Sequence, residues 1–363
     1  MNNQTVSTVL AALILIGLCA PLAWAGVPPP VLTLHIAQRA DKAPVIDGKL
    51  DDPCWQTAPQ NTTFYQFNNL TPTSSPLQTV SQLAYDEKGV YLAMKLYEKD
   101  MSKLKATITQ RGDQSLWTDD SVEIYFDCNA TSIGFRKFVV NALATQSSLC
   151  RMDPANVDFS WSPEGWQVAT SKDDKAWYLE GFFPWCDLGK SARDGDLWRY
   201  ALCRFSWSAG HLATSAVGAS YTSPERYGWM LFLDAKGSDV NALAKQLANR
   251  VPGDWLLPMN DKAIIKEHDR VSITTIGALL GDLRKQAQAQ ADECQKLKAA
   301  NPAVTNTCDA AIQNLAGVTV DTHDAAIFQQ SVGKFGTIIQ ELEDFKYICM
   351  LNQLFSTYAS KKP

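Results

Sequence analysis

The apolar pattern of this chain changes period once, near Ser238, and that change constrains the fold more than any other feature. Before it, runs of β-branched and aromatic residues recur at short spacing: Thr79–Tyr85, Val90–Glu98, Val122–Asp127, Phe135–Leu143, Gly165–Thr170, Trp177–Phe183, Trp198–Trp207 and Gly228–Leu233. Runs of this kind, without a strong helical period between them, predict an antiparallel β-sandwich. Asp86-Glu87-Lys88-Gly89 reads as the polar turn of a hairpin joining the first two. After the change, Ile273, Ile276, Leu280, Leu283, Ala287, Ala291, Cys294 and Leu297 step by three and four, as do Phe328, Val332, Phe335, Ile339, Leu342, Phe345, Cys349 and Phe355. Each set is the apolar stripe of an amphipathic helix. Asn301-Pro302 breaks the pattern, and Pro302 suits the first turn of a shorter middle helix running through Leu315. The reading is therefore a sandwich over 31–235, a linker at Asp234–Val240, and a helical hairpin or small bundle over 240–363.

The extreme N-terminus stands apart. Val9 to Leu22 is almost wholly apolar and is followed by Ala23-Trp24-Ala25, small residues placed for signal-peptidase cleavage before Gly26. The run is short for a membrane span. A leader over 1–25 and a secreted or periplasmic mature chain, with no later span, are the expectation. The leader has no early Lys or Arg, and Leu18 argues against a lipoprotein anchored at Cys19. A net charge of −5 and a pI near 5.5 speak against a nucleic-acid partner, which needs a basic face. Of nine cysteines, one leaves with the leader, and an even set of eight in an exported chain reads as disulfides. Cys294, near the end of one predicted helix, and Cys308, early in the next, are the pair expected to meet.

Function is concentrated in Trp117-Thr118-Asp119-Asp120-Ser121-Val122-Glu123-Ile124-Tyr125-Phe126-Asp127. In a strand, Val122, Ile124 and Phe126 face the core, while Glu123, Tyr125 and Asp127 face the other way. An indole just upstream of an outward carboxylate suits a sugar, whose apolar CH faces are ringed by hydroxyls.

These residues sit within a longer ordered pattern. Pro44-Val45-Ile46-Asp47-Gly48-Lys49-Leu50-Asp51-Asp52-Pro53-Cys54-Trp55 opens it, followed by Leu83-Ala84-Tyr85-Asp86 and Val90-Tyr91-Leu92. After the Trp117 segment come Phe138-Val139-Val140-Asn141, Gly165-Trp166-Gln167-Val168, Trp177-Tyr178-Leu179-Glu180 through Pro184-Trp185, and Ser223-Pro224-Glu225-Arg226-Tyr227-Gly228. In this order the set resembles a family 9 carbohydrate-binding module, one of the DOMON-like sandwiches, over roughly 40–233. The fold class implied is mainly β, an immunoglobulin- or jelly-roll-like antiparallel sandwich followed by a small α-helical domain. The resemblance implies an oligosaccharide or polysaccharide partner, in places a glycan reducing end, gripped between two aromatic rings. These match Trp117 and Tyr221, with Glu123 accepting hydroxyl hydrogen bonds and Asn141 as a strand amide beside it. Val139 stands where characterised binders place an arginine, so the resemblance leaves the charged donor to Arg111 or Arg204, or to a different sugar specificity. Some relatives bind calcium, and Asp119 and Asp120 are the oxygen-rich candidates for a structural Ca²⁺. Trp55, Trp166, Trp177, Trp185 and Trp198 read as scaffold.

Other function classes find less in the sequence. Glycoside hydrolysis needs two carboxylates across a scissile bond, whereas Asp119, Asp120 and Glu123 share one short segment. There is no G-x-S-x-G elbow or P-loop, and His35, His211, His268 and His323 lack the spacing of a triad or metal site. The reading is a binding protein rather than an enzyme. Two alternatives stay open. A haem-binding DOMON-like sandwich would use Met94, Met101 or Met152 with His211 as axial ligands. An interaction protein would use the helical region to bind a protein partner or to self-associate.

Overall fold

A computed structural model describes residues 27–67, 77–215, 221–234, 239–259, 261–268, 270–320 and 325–359. The expected leader lies outside these residues. Contacts divide the chain into two compact units, one running from Pro30 to Ile273 with His323–Gln330, the other built mainly from 274–320 and 331–359.

The first unit holds a 14-stranded sheet. Its strands are β1 (Leu34–Arg39), β2 (Gln60–Asn61), β3 (Tyr65–Gln66), β4 (Thr79–Tyr85), β5 (Gly89–Tyr97), β6 (Ser121–Asp127), β7 (Phe135–Asn141), β8 (Gln146–Asp153), β9 (Asn156–Asp158), β10 (Gln167–Lys172), β11 (Ala176–Pro184), β12 (Leu197–Ser206), β13 (His211–Thr214) and β14 (Gly228–Leu233). Their order is β10-β11-β5-β4-β1-β14-β12-β6-β7-β8-β9. Every run expected to be a strand is one, within a few residues at each end. The sheet is not purely antiparallel: β1 lies between β14 and β4 and is parallel to both. Sequence reading passed over β1 because Leu-His-Ile-Ala-Gln-Arg is short and carries polar residues at buried positions.

One core joins the two halves of this sheet. Leu83, Tyr85, Leu92, Met94, Trp177 and Leu179 from one half pack with Val122, Ile124, Phe126, Phe138, Trp198, Tyr200 and Leu202 from the other. Alternation along β6 therefore does what its sequence predicts, with the odd-numbered residues Ser121, Glu123, Tyr125 and Asp127 on the opposite face. Trp177 and Trp198 are fully buried, and truncating either to alanine is expected to cost about 3–5 kcal/mol. Trp55 donates from Nε1 to Glu180 Oε1 (2.8 Å), and Glu180 Oε2 accepts from the backbone of Asp47 (3.1 Å) and Gly48 (2.9 Å). The Asp47-Gly48 turn and Trp55 are thus tied to β11 through one buried carboxylate. Burial raises the Glu180 carboxyl above the ordinary range, and the three donors oppose that rise.

The segment after Asp234 departs from expectation. It forms α2 (Val240–Arg250), numbered after the single turn α1 (Trp185–Leu188), and then a three-stranded sheet of β15 (Trp255–Met259), β16 (Lys262–Glu267) and β17 (Arg270–Thr275). Leu243, Leu247, Trp255, Leu257 and Ile264 bury against Trp229, Leu231 and Leu233 of β14. The compact unit therefore continues past the expected boundary at 235–240, because β14 carries apolar residues on both faces and its outer one needs a cover. The helical period begins at α3 (Ile276–Lys298), followed by α4 (Thr305–Ala316) and α5 (Ala325–Ala359). Leu280, Leu283, Ala287 and Ala291 are the buried stripe of α3, as predicted. Cys294 and Cys308 are both buried there but remain free thiols, as do all eight cysteines among the described residues. The two thiols do meet, within hydrogen-bonding reach of each other, but no disulfide joins them in this structure; Cys294 Sγ also donates to the Leu342 carbonyl (3.4 Å).

Candidate functional site

The face of β6, β7 and β12 turned away from the core is a lattice whose registers fix its neighbours. Across β6, Ser121 lies opposite Asn141 and Phe205, Glu123 opposite Val139 and Cys203, and Tyr125 opposite Lys137 and Ala201. Beneath these a second apolar cluster of Tyr125, Phe135, Leu149, Ala201, Cys203 and Tyr227 forms the floor, with Val157 and Tyr221 packed on it. Trp117 lies in the single 3-10 turn Leu116–Thr118 that leads into β6, and 43 % of it is exposed.

The two acidic residues between Trp117 and β6 hold this turn in place. Asp119 Oδ2 accepts from the backbone of Thr107 (2.8 Å) and Ile108 (2.9 Å) and from Asn141 Nδ2 (3.0 Å). Burial works against its charge, but the donors from Ile108, Asn141 and Thr107 prevail and hold the carboxyl below the usual range. Asp120 Oδ2 accepts from Lys105 N (2.8 Å) and Oδ1 from Trp207 N (2.6 Å). Their oxygens thus cap backbone amides rather than face an open site. Among the described residues no group of three or more His, Cys, Asp or Glu side chains is arranged to hold a metal ion.

Glu123 is buried and paired with Lys137, and Tyr125 Oη donates to its second oxygen. Val139, directly opposite, leaves the cross-strand position uncharged. Lys137 reaches Glu123 from the diagonal position, which long side chains span readily. Lys137 was missed from sequence, although it shares the face of Val139 two residues earlier on β7. The donor expected from Arg204 is not there. Arg204 pairs with Val122 in register, points into the core at 0 % exposure, and bonds Glu98 Oε1 (2.9 Å), Thr79 Oγ1 (2.8 Å) and the Leu77 carbonyl (3.0 Å). Nor does Arg111 reach Glu123: it is exposed and bonds Gln146 and the Pro163 carbonyl.

Asn141 is a fastener rather than a free amide. Its Nδ2 donates to the Ile108 carbonyl (2.8 Å) and to Asp119, while its Oδ1 accepts from Leu143 N (3.1 Å) and Thr145 N (2.9 Å). Tyr221 belongs to the same face but is largely covered. It stacks on Phe67 (4.3 Å between ring centroids, 28°) and meets Phe205 edge-on (5.2 Å, 62°), and its hydroxyl is buried. The adjoining Thr222 carbonyl is held by Arg151 Nη1 (2.7 Å). Trp207, expected from sequence only as the end of a strand, is 38 % exposed. Its Nε1 donates to the Trp117 carbonyl (2.7 Å), and its ring lies over Phe205 (5.9 Å, 25°).

The candidate ligands of the haem alternative come from separate elements of the sheet and its loops. Met94 is packed in the core, Met101 lies against it, and Met152 is 66 % exposed on β8. His211 sits on β13, its proton affinity lowered to about 4 by burial and by Arg204.

The model of the family described as "Carbohydrate family 9 binding domain-like" matches residues 46–231. No curated protein matches the chain. Among solved structures it is similar to a family 9 carbohydrate-binding module from Caldicellulosiruptor kristjanssonii in complex with glucose (14 % identity, TM-score 0.41, covering 57 % of this chain and 99 % of that one). It is likewise similar to a module of the same organism in complex with cellotriose (16 %, 0.40, 58 % and 96 %). By the match over 46–231, this chain belongs to the carbohydrate family 9 binding domain-like family.

Proposed function

We propose that this protein is a non-catalytic carbohydrate-binding protein, acting outside the cytoplasm, that holds an oligosaccharide or polysaccharide on the β6/β7/β12 face. The observation that carries the reading is Trp117: an indole with 43 % of its surface exposed, fixed by two carboxylate-anchored loops, on a domain of a carbohydrate-binding family. Rigid aromatic rings stack on the CH face of a sugar at little entropic cost. The Glu123–Lys137 pair, one pleat along from the Phe205 level, is buried and braces the strands beneath this surface. The carboxylates of this face are each engaged with a neighbouring donor, and Asp119 and Asp120 lie on one wall, which supports binding over hydrolysis. Export is supported by the apolar run Val9–Leu22, and no helix among the described residues is long and apolar enough to cross a membrane.

A glycan array tests this. Wild-type protein is expected to retain at least one glycan class, and Trp117→Ala, a change at an exposed side chain, to weaken that binding while melting as the wild type does. An array blank for the wild type refutes the proposal.

A further inference from the structure

The exposed aromatic surface of this face differs in shape from a two-sided clamp. A clamp needs two rings with free faces turned toward each other. Tyr221, matched by sequence to the second ring, has Phe67 stacked on it at 4.3 Å and the edge of Phe205 at 5.2 Å. A ring with open surface beside Trp117 is Trp207. Trp117 and Trp207 stand 6.0 Å apart between centroids and are inclined by 54°. Both lie over Phe205, at 6.2 Å and 5.9 Å, and Phe205 itself is only 5 % exposed. That spacing leaves no slot for a sugar ring between the two indoles. It makes them two facets of one ridge with a buried phenyl ring under it.

Both facets are built to stay in place. Asp120 accepts from Trp207 N on one oxygen and from Lys105 N on the other. Lys105 Nζ donates to the Thr118 carbonyl (2.6 Å), and Trp207 Nε1 donates to the Trp117 carbonyl. The indole N–H of Trp207 is thereby used within the protein, so this ring offers a ligand only its apolar face.

From this geometry we infer that the ligand is an internal stretch of a glycan chain lying across a Trp117–Trp207 platform, one sugar unit against each indole, rather than a chain end held in a clamp. The inference rests on the carbohydrate-binding reading above and adds ligand length and orientation to it. A chain lying across a ridge needs no free reducing end, and its affinity grows as it becomes long enough to reach the second facet.

Calorimetric titration of the full chain with the gluco-, xylo- and manno- series from monosaccharide to hexasaccharide, each also in its borohydride-reduced form, tests it. In the wild type, affinity for the recognised series rises about tenfold between monosaccharide and disaccharide, the worth of one further aromatic contact. Reduced and unreduced hexasaccharides bind within about twofold of each other. Trp207→Ala abolishes that rise with length. Trp207→Phe, which keeps a ring without the N–H, retains most of the rise. Loss of binding on reduction of the chain end, or a length dependence unchanged in Trp207→Ala, overturns the platform while leaving the carbohydrate reading standing. Failure of every sugar, internal or terminal, to bind the wild type overturns both.

Discussion

Residues of one type separate here by what surrounds them. Trp177 and Trp198 are core and Trp55 is a hydrogen-bonded strut, whereas Trp117 and Trp207 keep open faces. Alternation along β6 told Glu123 from Ile124 in the sequence, because strand period decides which face a residue takes. It could not tell what Glu123 would pair with, because Lys137 lies on another strand and only the β6/β7 register brings it near. Arg204 was misplaced for the same reason: one step of register sends it through the sheet to Glu98. Removing it as Arg204→Ala leaves a buried carboxylate unpaired, so urea unfolding is expected to show a loss of about 3–5 kcal/mol, with the sugar affinity of the folded protein unchanged. His35 gives a pH signature. It is 2 % exposed, and burial lowers its proton affinity from 6.5 to about 4. Between those values the unfolded chain takes up a proton that the folded protein refuses, so stability is full above pH 6.5 and falls as pH drops toward 4. The slope is about 1.4 kcal/mol per pH unit for such a group. Thermal melts of His35→Leu across that range are expected to slope less than those of the wild type.

Element by element, what is local was legible and what depends on distant partners was not. Strands such as β4 and β14, and the stripe of α3, follow from period alone. β1 escaped because its place between two parallel neighbours is set by β4 and β14 rather than by its own six residues. β16 and β17 escaped because short β-branched runs bounded by charged residues were read within a helical surround. The conspicuous Ile46-Asp47-Gly48 motif proves to be a turn clamped on Glu180. Gly48 has φ of +82°, and a Cβ there would lie 2.8 Å from the Thr170 carbonyl carbon. Gly48→Ala is therefore expected to lower stability by upwards of about 1 kcal/mol, measurable as a shift of the urea midpoint, with the Trp117 face untouched.

For the whole molecule, composition correctly separated a β-rich part from a helical part but put the division too early. The outer face of β14, with Trp229, Leu231 and Leu233, is covered by α2 and β15–β17, so the unit that carries the site needs residues up to Ile273. A chain ending at 238 is expected to aggregate or bind hydrophobic dye, whereas one ending at 275 melts cooperatively; scanning calorimetry of the two distinguishes these outcomes. The candidate site itself was half legible. Its anchoring segment was visible in one run of sequence, but the aromatic partner Trp207 comes from the end of β12 and meets Trp117 only when β6 and β12 pair. The central claim is that an exposed, rigidly held Trp117 binds sugar. It is tested most directly by calorimetric titration of wild type and Trp117→Ala with the tightest glycan found on the array. The account predicts that Trp117→Ala binds at least about tenfold more weakly while melting within a degree or so of the wild type. Equal affinity in the two proteins would contradict it.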